Sequence, residues 1–334
     1  MHIIIKKYCE ALEFFIGKCY NNYRMLQMVE KALKCVFIYN PVSGKGKVAK
    51  KLAYIEKTLR QKYDEVEILA TKKSGDMAKF ARESLGKTDA IVFAGGDGSF
   101  NDLLQGVADC ENMPEIGYIP SGTVNDIART LKIPRKIKKA LKVILNGRVE
   151  KLDCMKANDK YAMYVIAAGL FTRASYATDQ KQKNEIGKIA YFIEGIRNEF
   201  AFDMFDLGIT ENGEQQKRNC VLVSFMNSRS VAGFPINRSA NLQDGKIEVA
   251  IVEEKTNRLG FWGKVRAVLS VCSLFLFGYK AKHKQLIRLS GTTFEVAVSD
   301  DVIWNFDGEK GSNGKLNIQV IPARINMIVP KNFK

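Results

Sequence analysis

The chain has 334 residues, 46% hydrophobic and 10% aromatic, with 52 Lys and Arg against 36 Asp and Glu, for a formal net charge of +16. That size and apolar content support a substantial core shared between two domains. The charge points to polyanions or anionic surfaces without choosing among nucleic acid, phospholipid headgroups and nucleotide phosphates. The two His, at 2 and 283, argue against a histidine metal cluster and a Ser-His triad, and seven Cys without a C-x-x-C pair fit a reducing cytosol.

Residues 1–33 read as an N-terminal extension, either an appended amphipathic helix or the product of a mis-assigned start codon. Their apolar runs, Ile3 to Ile5 and Phe14 to Gly17, lack the sustained core and cleavage site of a signal peptide. From residue 35 a βαβ rhythm begins. Cys35–Tyr39, Val66–Ala70, Ala90–Ala94 and Ile116–Ile119 are short, β-branched or apolar runs predicted as buried parallel strands, and Val48–Tyr63, Met77–Leu85 and Phe100–Ala108 have helical spacing. The sheet is therefore expected to be doubly wound, with ligands beyond the carboxyl ends of its strands. A basic helix carrying Lys136, Lys138, Lys139, Lys142 and Arg148 leads onward, its default reading a solvated face.

Beyond about residue 150 the pattern turns strand-rich, with Met163–Ala168, Cys220–Phe225, Ile247–Val252, Phe294–Val298, Val302–Phe306 and Leu316–Ile321. Asn212-Gly213, Asp244-Gly245, Asp307-Gly308 and Asn313-Gly314 punctuate them as hairpin corners, and helices are expected at Ile186–Phe200 and Leu259–Phe277. The longest apolar run, Val268 to Gly278, is about eleven residues, short of the roughly 20 that span a bilayer. Trp262, Val265, Leu269, Cys272 and Leu276 follow helical spacing, and Lys280, Lys282, Lys284 and Arg288 come just after. This segment is either an interfacial helix beside cations or a core helix with a solvated end.

Three polar, glycine-containing loops leave the strand ends: Asn40–Lys47, Gly95–Ser99 and Pro120–Asp126. The first, N-P-V-S-G-K-G-K, places glycines and the cations Lys45 and Lys47 before a helix, without being a Walker A loop; a plain flexible turn is its alternative. The second sets three glycines around Asp97, which lets amides wrap a polyphosphate while the carboxylate faces magnesium or a ribose hydroxyl. In the third, Asn125 or Asp126 has the simpler alternative of capping the next helix.

Taken together, N-P-x-S-G, G-G-D-G-S-F-N-D and P-S-G-T-V-N-D-I-A-R resemble the bacterial diacylglycerol kinases and their soluble lipid kinase relatives, which are similar to sphingosine kinases. G-G-D-G alone also occurs in NAD kinases and phosphofructokinases; the Gly122–Asp126 continuation favours the lipid branch. The resemblance implies an α/β plus β fold. Residues 34–148 would form a doubly wound, NAD kinase/phosphofructokinase-like nucleotide domain to which 323–334 return, and 149–322 a β-sandwich-like lipid domain.

It implies ATP and Mg²⁺. Asn40, Ser43, Gly44, Lys45, Thr71, Gly95, Gly96, Gly98, Asn101, Gly122 and Thr123 would contact nucleotide, and Asp97 and Asp126 would organise Mg²⁺. Asp307 in Asn305–Glu309 would be the base that takes the lipid hydroxyl proton, with Glu309 behind it; read without the resemblance, this Asp-Gly is a hairpin corner. The resemblance also places a structural Mg²⁺ at Asp244, the Lys246 carbonyl and Asn241, although the bacterial enzyme carries an acidic residue where this chain has Asn241. The expected substrate is a diacylglycerol-like lipid, met by a cytoplasmic protein at the inner face of an anionic membrane, with a homodimer left open and no nucleic-acid partner. The rival readings are an NAD kinase-like small-molecule kinase and a non-catalytic basic protein that binds membrane or nucleic acid. Against the latter, Asp97, Asp126 and Asp307 sit in glycine turns where a polyanion surface would not want them.

Overall fold

The computed structural model describes residues 31–170, 204–211, 214–231, 234–238, 240–254, 261–279 and 283–333. The expected N-terminal extension, the helix at Ile186–Phe200, the Asn212-Gly213 turn, Lys280 and Lys282 lie outside the described residues. Residues 34–334 form one compact unit.

The first half alternates as its periodicity requires: β1 (Lys34–Tyr39), α1 (Leu52–Leu59), β2 (Glu65–Ala70), α2 (Asp76–Ser84), β3 (Ala90–Gly95), α3 (Asp97–Val107), β4 (Glu115–Pro120), α4 (Asp126–Thr130) and α5 (Ile137–Asn146). β2, β1, β3 and β4 lie side by side in parallel register. Every residue of β3 is buried, the signature of a strand covered on both faces. Phe93 stacks on Tyr118 at 4.4 Å between centroids, and Phe100 tilts against both rings. Burying each such side chain contributes about 1.5–3 kcal/mol.

The second half is built from β5 (Arg148–Ala157), β6 (Lys160–Ala162), β7 (Val165–Gly169), β8 (Phe205–Glu211), β9 (Glu214–Met226), β10 (Ile247–Glu253), α6 (Phe261–Phe277), β11 (Leu286–Gly291), β12 (Thr293–Ala297), β13 (Ile303–Phe306), β14 (Glu309–Asn313) and β15 (Leu316–Val329). Its antiparallel strands enclose a separate core around Phe225, Val249, Ile251, Val296 and Trp304. β15 joins the halves: it pairs antiparallel with β12 and β5, then lies parallel beside β4 through Met327 and Ile116. The architecture is thus an α/β domain followed by a β-sandwich-like one.

Several boundaries differ from the sequence reading. The helix expected over Val48–Tyr63 is α-helical only from Leu52 to Leu59; before it the chain makes short 3₁₀ turns, and Lys51 leaves helical geometry at φ −116°, ψ 15°. Arg148 belongs to β5 rather than to the basic helix, because Gly147 ends α5 in an extended conformation. β15 runs through Pro322 to Val329 with an irregularity between Ile321 and Ile325, a length that the proline masks in the sequence. Strands β5, β6, β8, β11 and β14 have no counterpart in the sequence reading; β11 and β14 are short, and β14 is polar throughout.

Candidate functional site

The three loops meet beyond the ends of β1, β3 and β4. In the first, Asn40 Oδ1 accepts the Val42 amide at 3.1 Å and the Asn40 carbonyl accepts Ser43 N–H, closing a tight turn. Gly44, Lys45 and Gly46 all take left-handed backbone angles, at φ 61°, 60° and 70°. A Cβ on Gly44 would stand 2.7 Å from the Ser121 carbonyl, so only glycine lets this loop lie against the third one. Ser43 Oγ and Ser121 Oγ hydrogen-bond at 2.8 Å. Lys45 has no such exemption and carries about 1–2 kcal/mol of strain, as residues at functional loops often do. Thr71 sits beside them at the end of β2, its amide donating to the Tyr39 carbonyl at 2.9 Å.

The Gly95–Ser99 stretch is not a free loop. Gly96 is the extended cap and the helix begins at Asp97, three residues before the expected start at Phe100. Asp97 therefore lies in the first turn, with its carboxylate directed at the third loop, where it accepts the amides of Asn125 at 2.8 Å and Asp126 at 2.7 Å. Gly96 and Gly122 touch backbone to backbone: a Cβ on Gly122 would stand 2.5 Å from Gly96 Cα. Burial, and then repulsion from Asp126, push the Asp97 carboxyl up to about 6, while the amides of Asp126, Asn125 and Ile127 pull it back.

Asn125, left-handed at φ 54°, does not cap α4 with its side chain. Its Oδ1 accepts Gly122 N–H at 3.0 Å and its Nδ2 donates to the Gly122 carbonyl at 2.7 Å, stapling the loop to itself. The Tyr118 hydroxyl lies 3.1 Å from that Oδ1, and Arg135 donates to the Gly122 and Thr123 carbonyls. Asp126 is buried and accepts the Ser230 hydroxyl at 2.7 Å, a bond from the second domain.

In the second domain, Asp307 occupies the turn between β13 and β14, left-handed at φ 53° and 3% exposed. Its carboxylate accepts the amides of Met163 at 2.6 Å and of Tyr164 and Val165 at 2.9 Å, and the side-chain amide of Asn101 at 3.2 Å. The Tyr164 hydroxyl donates to the Asp307 carbonyl at 2.7 Å. Met163 and Tyr164 precede β7 instead of belonging to it, their amides turned to this carboxylate. Burial raises the Asp307 carboxyl to about 6 against the opposing pull of those donors.

One face of α3 carries further contacts between the domains. A Cβ on Gly98 would stand 2.7 Å from Glu309 Oε1, Asn101 meets Asp307, and Gln105 both donates to and accepts from the Tyr161 backbone, at 2.7 and 3.0 Å. Glycine amides at a helix start thereby stand opposite a buried carboxylate, an arrangement able to bind phosphate on one side and accept a proton on the other.

Residues 34–157 match the family model for the diacylglycerol kinase catalytic domain, and 164–329 match the model described as the YegS C-terminal NAD kinase beta sandwich-like domain. Diacylglycerol kinases of Staphylococcus aureus strains bovine RF122 / ET3-1 and MRSA252 are 32% identical to the chain over 298 residues, covering 89% of it and 92% of each relative. The chain belongs to the bacterial diacylglycerol kinase family. By class it is an enzyme, a lipid kinase. Among solved structures, a diacylglycerol kinase of Bacillus anthracis strain Sterne superposes with a TM-score of 0.72 at 26% identity, covering 90% of this chain and 98% of the other. A further structure from that organism gives 0.76 at 27%, covering 90% and 96%.

Within this family member, Asn40, Ser43, Gly44, Lys45, Thr71, Gly95, Gly96, Asp97, Gly98, Gly122, Thr123 and Asp126 converge at one end of the sheet, while Asp307 and Glu309 approach from the second domain. Asn101, one turn into α3, has its amide turned to Asp307. Asn241, Asp244 and Lys246 lie apart, on a loop whose Gly245 amide is held by Asp153 at 2.8 Å. Asp244 is exposed and accepts the Lys246 amide at 3.1 Å, and among the described residues no three His, Cys, Asp or Glu cluster as a metal cage.

Tyr118, Arg135, Tyr164 and Ser230 support the site although the sequence reading does not single them out. Arg135, close behind the third motif, is within reach of such a reading. Ser230, 104 residues from Asp126, gives no local signal.

Proposed function

We propose that this kinase transfers the γ-phosphate of ATP to the free hydroxyl of a diacylglycerol, giving phosphatidic acid and ADP. The acceptor O–H breaks, its proton passes to Asp307, the new O–P bond forms, and the bond to the β-phosphate breaks with ADP leaving. The observation that carries this reading is the seating of buried Asp307 against α3, the helix whose first turn holds the G-G-D-G amides. Residues 34–148 with the returning C-terminal segment would hold nucleotide, and 149–322 the lipid.

Mg²⁺ fits here as a cation brought in by the phosphates, held by one or two carboxylates rather than by a cage. Asp97 and Asp126 stand close enough for Asp126 to raise the Asp97 carboxyl, and a cation between them and the phosphates would relieve that repulsion. Bound there, Mg²⁺ would supply charge neutralisation during transfer. The chain's own loops position the phosphates through amides.

A lipid acceptor calls for a membrane contact, and α6 supports one. Trp262, Leu269, Leu276 and Phe277 are 74%, 58%, 66% and 75% exposed, an apolar stripe on a helix that also carries Lys264 and Arg266. Such a face suits the interface of an anionic bilayer, with Lys284 and Arg288 following in the chain. Among the described residues no helix is long and apolar enough to cross a membrane.

The test is to incubate purified protein with γ-labelled ATP, Mg²⁺ and a fractionated lipid extract, with NAD as a parallel acceptor. Labelled phosphatidic acid is expected. Labelled NADP with unlabelled lipid would replace this reading with the NAD kinase one.

A further inference from the structure

The Asp307 carboxylate has two oxygens and about four acceptor positions, and its donors fill them. Oδ2 takes Met163 N–H at 2.6 Å and Asn101 Nδ2 at 3.2 Å; Oδ1 takes the amides of Tyr164 and Val165, both at 2.9 Å. A base so occupied accepts no proton until one donor leaves. The three main-chain donors are fixed by the entry to β7, whose Val165 carbonyl in turn accepts the Asp307 amide. Asn101 provides the longest of the four bonds, on a rotatable side chain, from the opposite domain.

We propose that Asn101 is a positioning residue for the base: its amide occupies the Asp307 Oδ2 position that the acceptor hydroxyl takes over during turnover, and until then it holds the carboxylate ionised. This rests on the reading of Asp307 as the base, and it moves Asn101 out of the nucleotide contacts. Proton balance is unchanged: the Asn101 amide keeps its hydrogens when it swings away, and the proton gained at Oδ2 is the acceptor's.

The surroundings bear on the charge of Asp307. Burial disfavours its ionised form, and Asn101 is the side-chain hydrogen bond that opposes burial alongside the three amides. The other titratable groups nearby are Cys154 on β5 and Tyr164, the latter also within the fields of Asp97, Asp126 and Glu309. The Lys160 ammonium stands 6.0 Å over the neighbouring Phe306 ring. Apart from Lys160, these groups are neutral or negative, so the hydrogen bonds carry most of the work of keeping the carboxylate charged.

The experiment is the pH profile of kcat for Asn101→Ala and Asn101→Ser, with KM measured for ATP and for diacylglycerol in mixed micelles. The proposal expects the acidic limb to move up by about one pH unit, since a hydrogen bond to a charged group is worth about that much in protonation. It expects KM for ATP unchanged within about twofold and KM for the lipid unchanged or lower. A stationary limb overturns it, and a stationary limb with a raised KM for ATP returns Asn101 to the nucleotide. Should both variants fail to fold, Asn101→Asp supplies the same readout: a carboxylate facing Asp307 must move the limb up further, and an unmoved limb is again contrary. Asp307→Asn separates the two levels, because normal turnover by that variant removes the base itself.

Discussion

Asp97 and Asp307 are both buried carboxylates beside glycines, both raised to about 6, yet the two turns that hold them are built for different tasks. Asp97 stands at the start of a helix and spends its oxygens on the Asn125 and Asp126 amides, so it ties one glycine loop to another within a single domain. A second carboxylate, Asp126, presses on it. Asp307 stands at a hairpin corner, faces no carboxylate among its leading influences, and is gripped by main-chain donors of its own domain and one side chain of the other. Raised pKa values therefore mark both as unusual, while the partners separate a group that joins two loops from one that joins two domains.

The sharpest way to break this contrast is to remove each carboxylate in turn. Asp307→Asn is expected to lower kcat by about 10²–10⁴, the contribution of a positioned base, with nucleotide affinity retained, as measured by transfer assay and calorimetry. Asp97→Ala is expected to act on both stability and binding: each of the two amides it abandons costs about 1–3 kcal/mol if left unpaired, so the melting temperature falls and KM for ATP rises. Were Asp97→Ala to affect kcat alone, the distinction would fail.

Much of this contrast is legible in the sequence and some is not. The glycine spacing around Asp97 and the alternation of β1 to β4 announce glycine loops gathered at one end of a parallel sheet, because both follow from local backbone needs. Asp307-Gly308 announces only a turn. Its partners, Met163, Tyr164 and Val165, lie 142–144 residues away and contribute amides, which no side-chain pattern encodes. The Asn101 contact is hidden for a related reason: nothing within G-G-D-G-S-F-N-D shows that the helix already begins at Asp97 and turns position 101 toward the other domain. Gln105, one turn on, shares that face and gives no signal either.

On α6 the comparison is between its buried side, with Ala267, Val271 and Leu274, and its exposed apolar side. Leu269→Glu with Leu276→Glu is expected to reduce binding to anionic vesicles by at least about tenfold, since each Leu buried in an interface contributes on the order of 1.5–3 kcal/mol, while activity on a micelle-dispersed short-chain substrate is kept. Unchanged co-sedimentation would remove the helix from the membrane contact.

A smaller effect concerns pH and stability. The Asp307 carboxyl is raised in the folded protein from 3.8 to about 6, so between those values the folded state binds more protons than the unfolded one. Its contribution to stability is accordingly present at acid pH and lost as pH rises through about 6. Asp307→Asn should flatten that part of the melting-temperature profile between about pH 4 and 6. An unchanged slope would mean that the carboxylate is not held as the geometry indicates.

The most direct test of the central claim follows phosphatidic acid formation from labelled ATP by wild type and Asp307→Asn, alongside nucleotide binding by both. Labelled product from the wild type, at least about a hundredfold less from the variant, and equal nucleotide affinity are expected. Undiminished turnover by the variant would contradict the account.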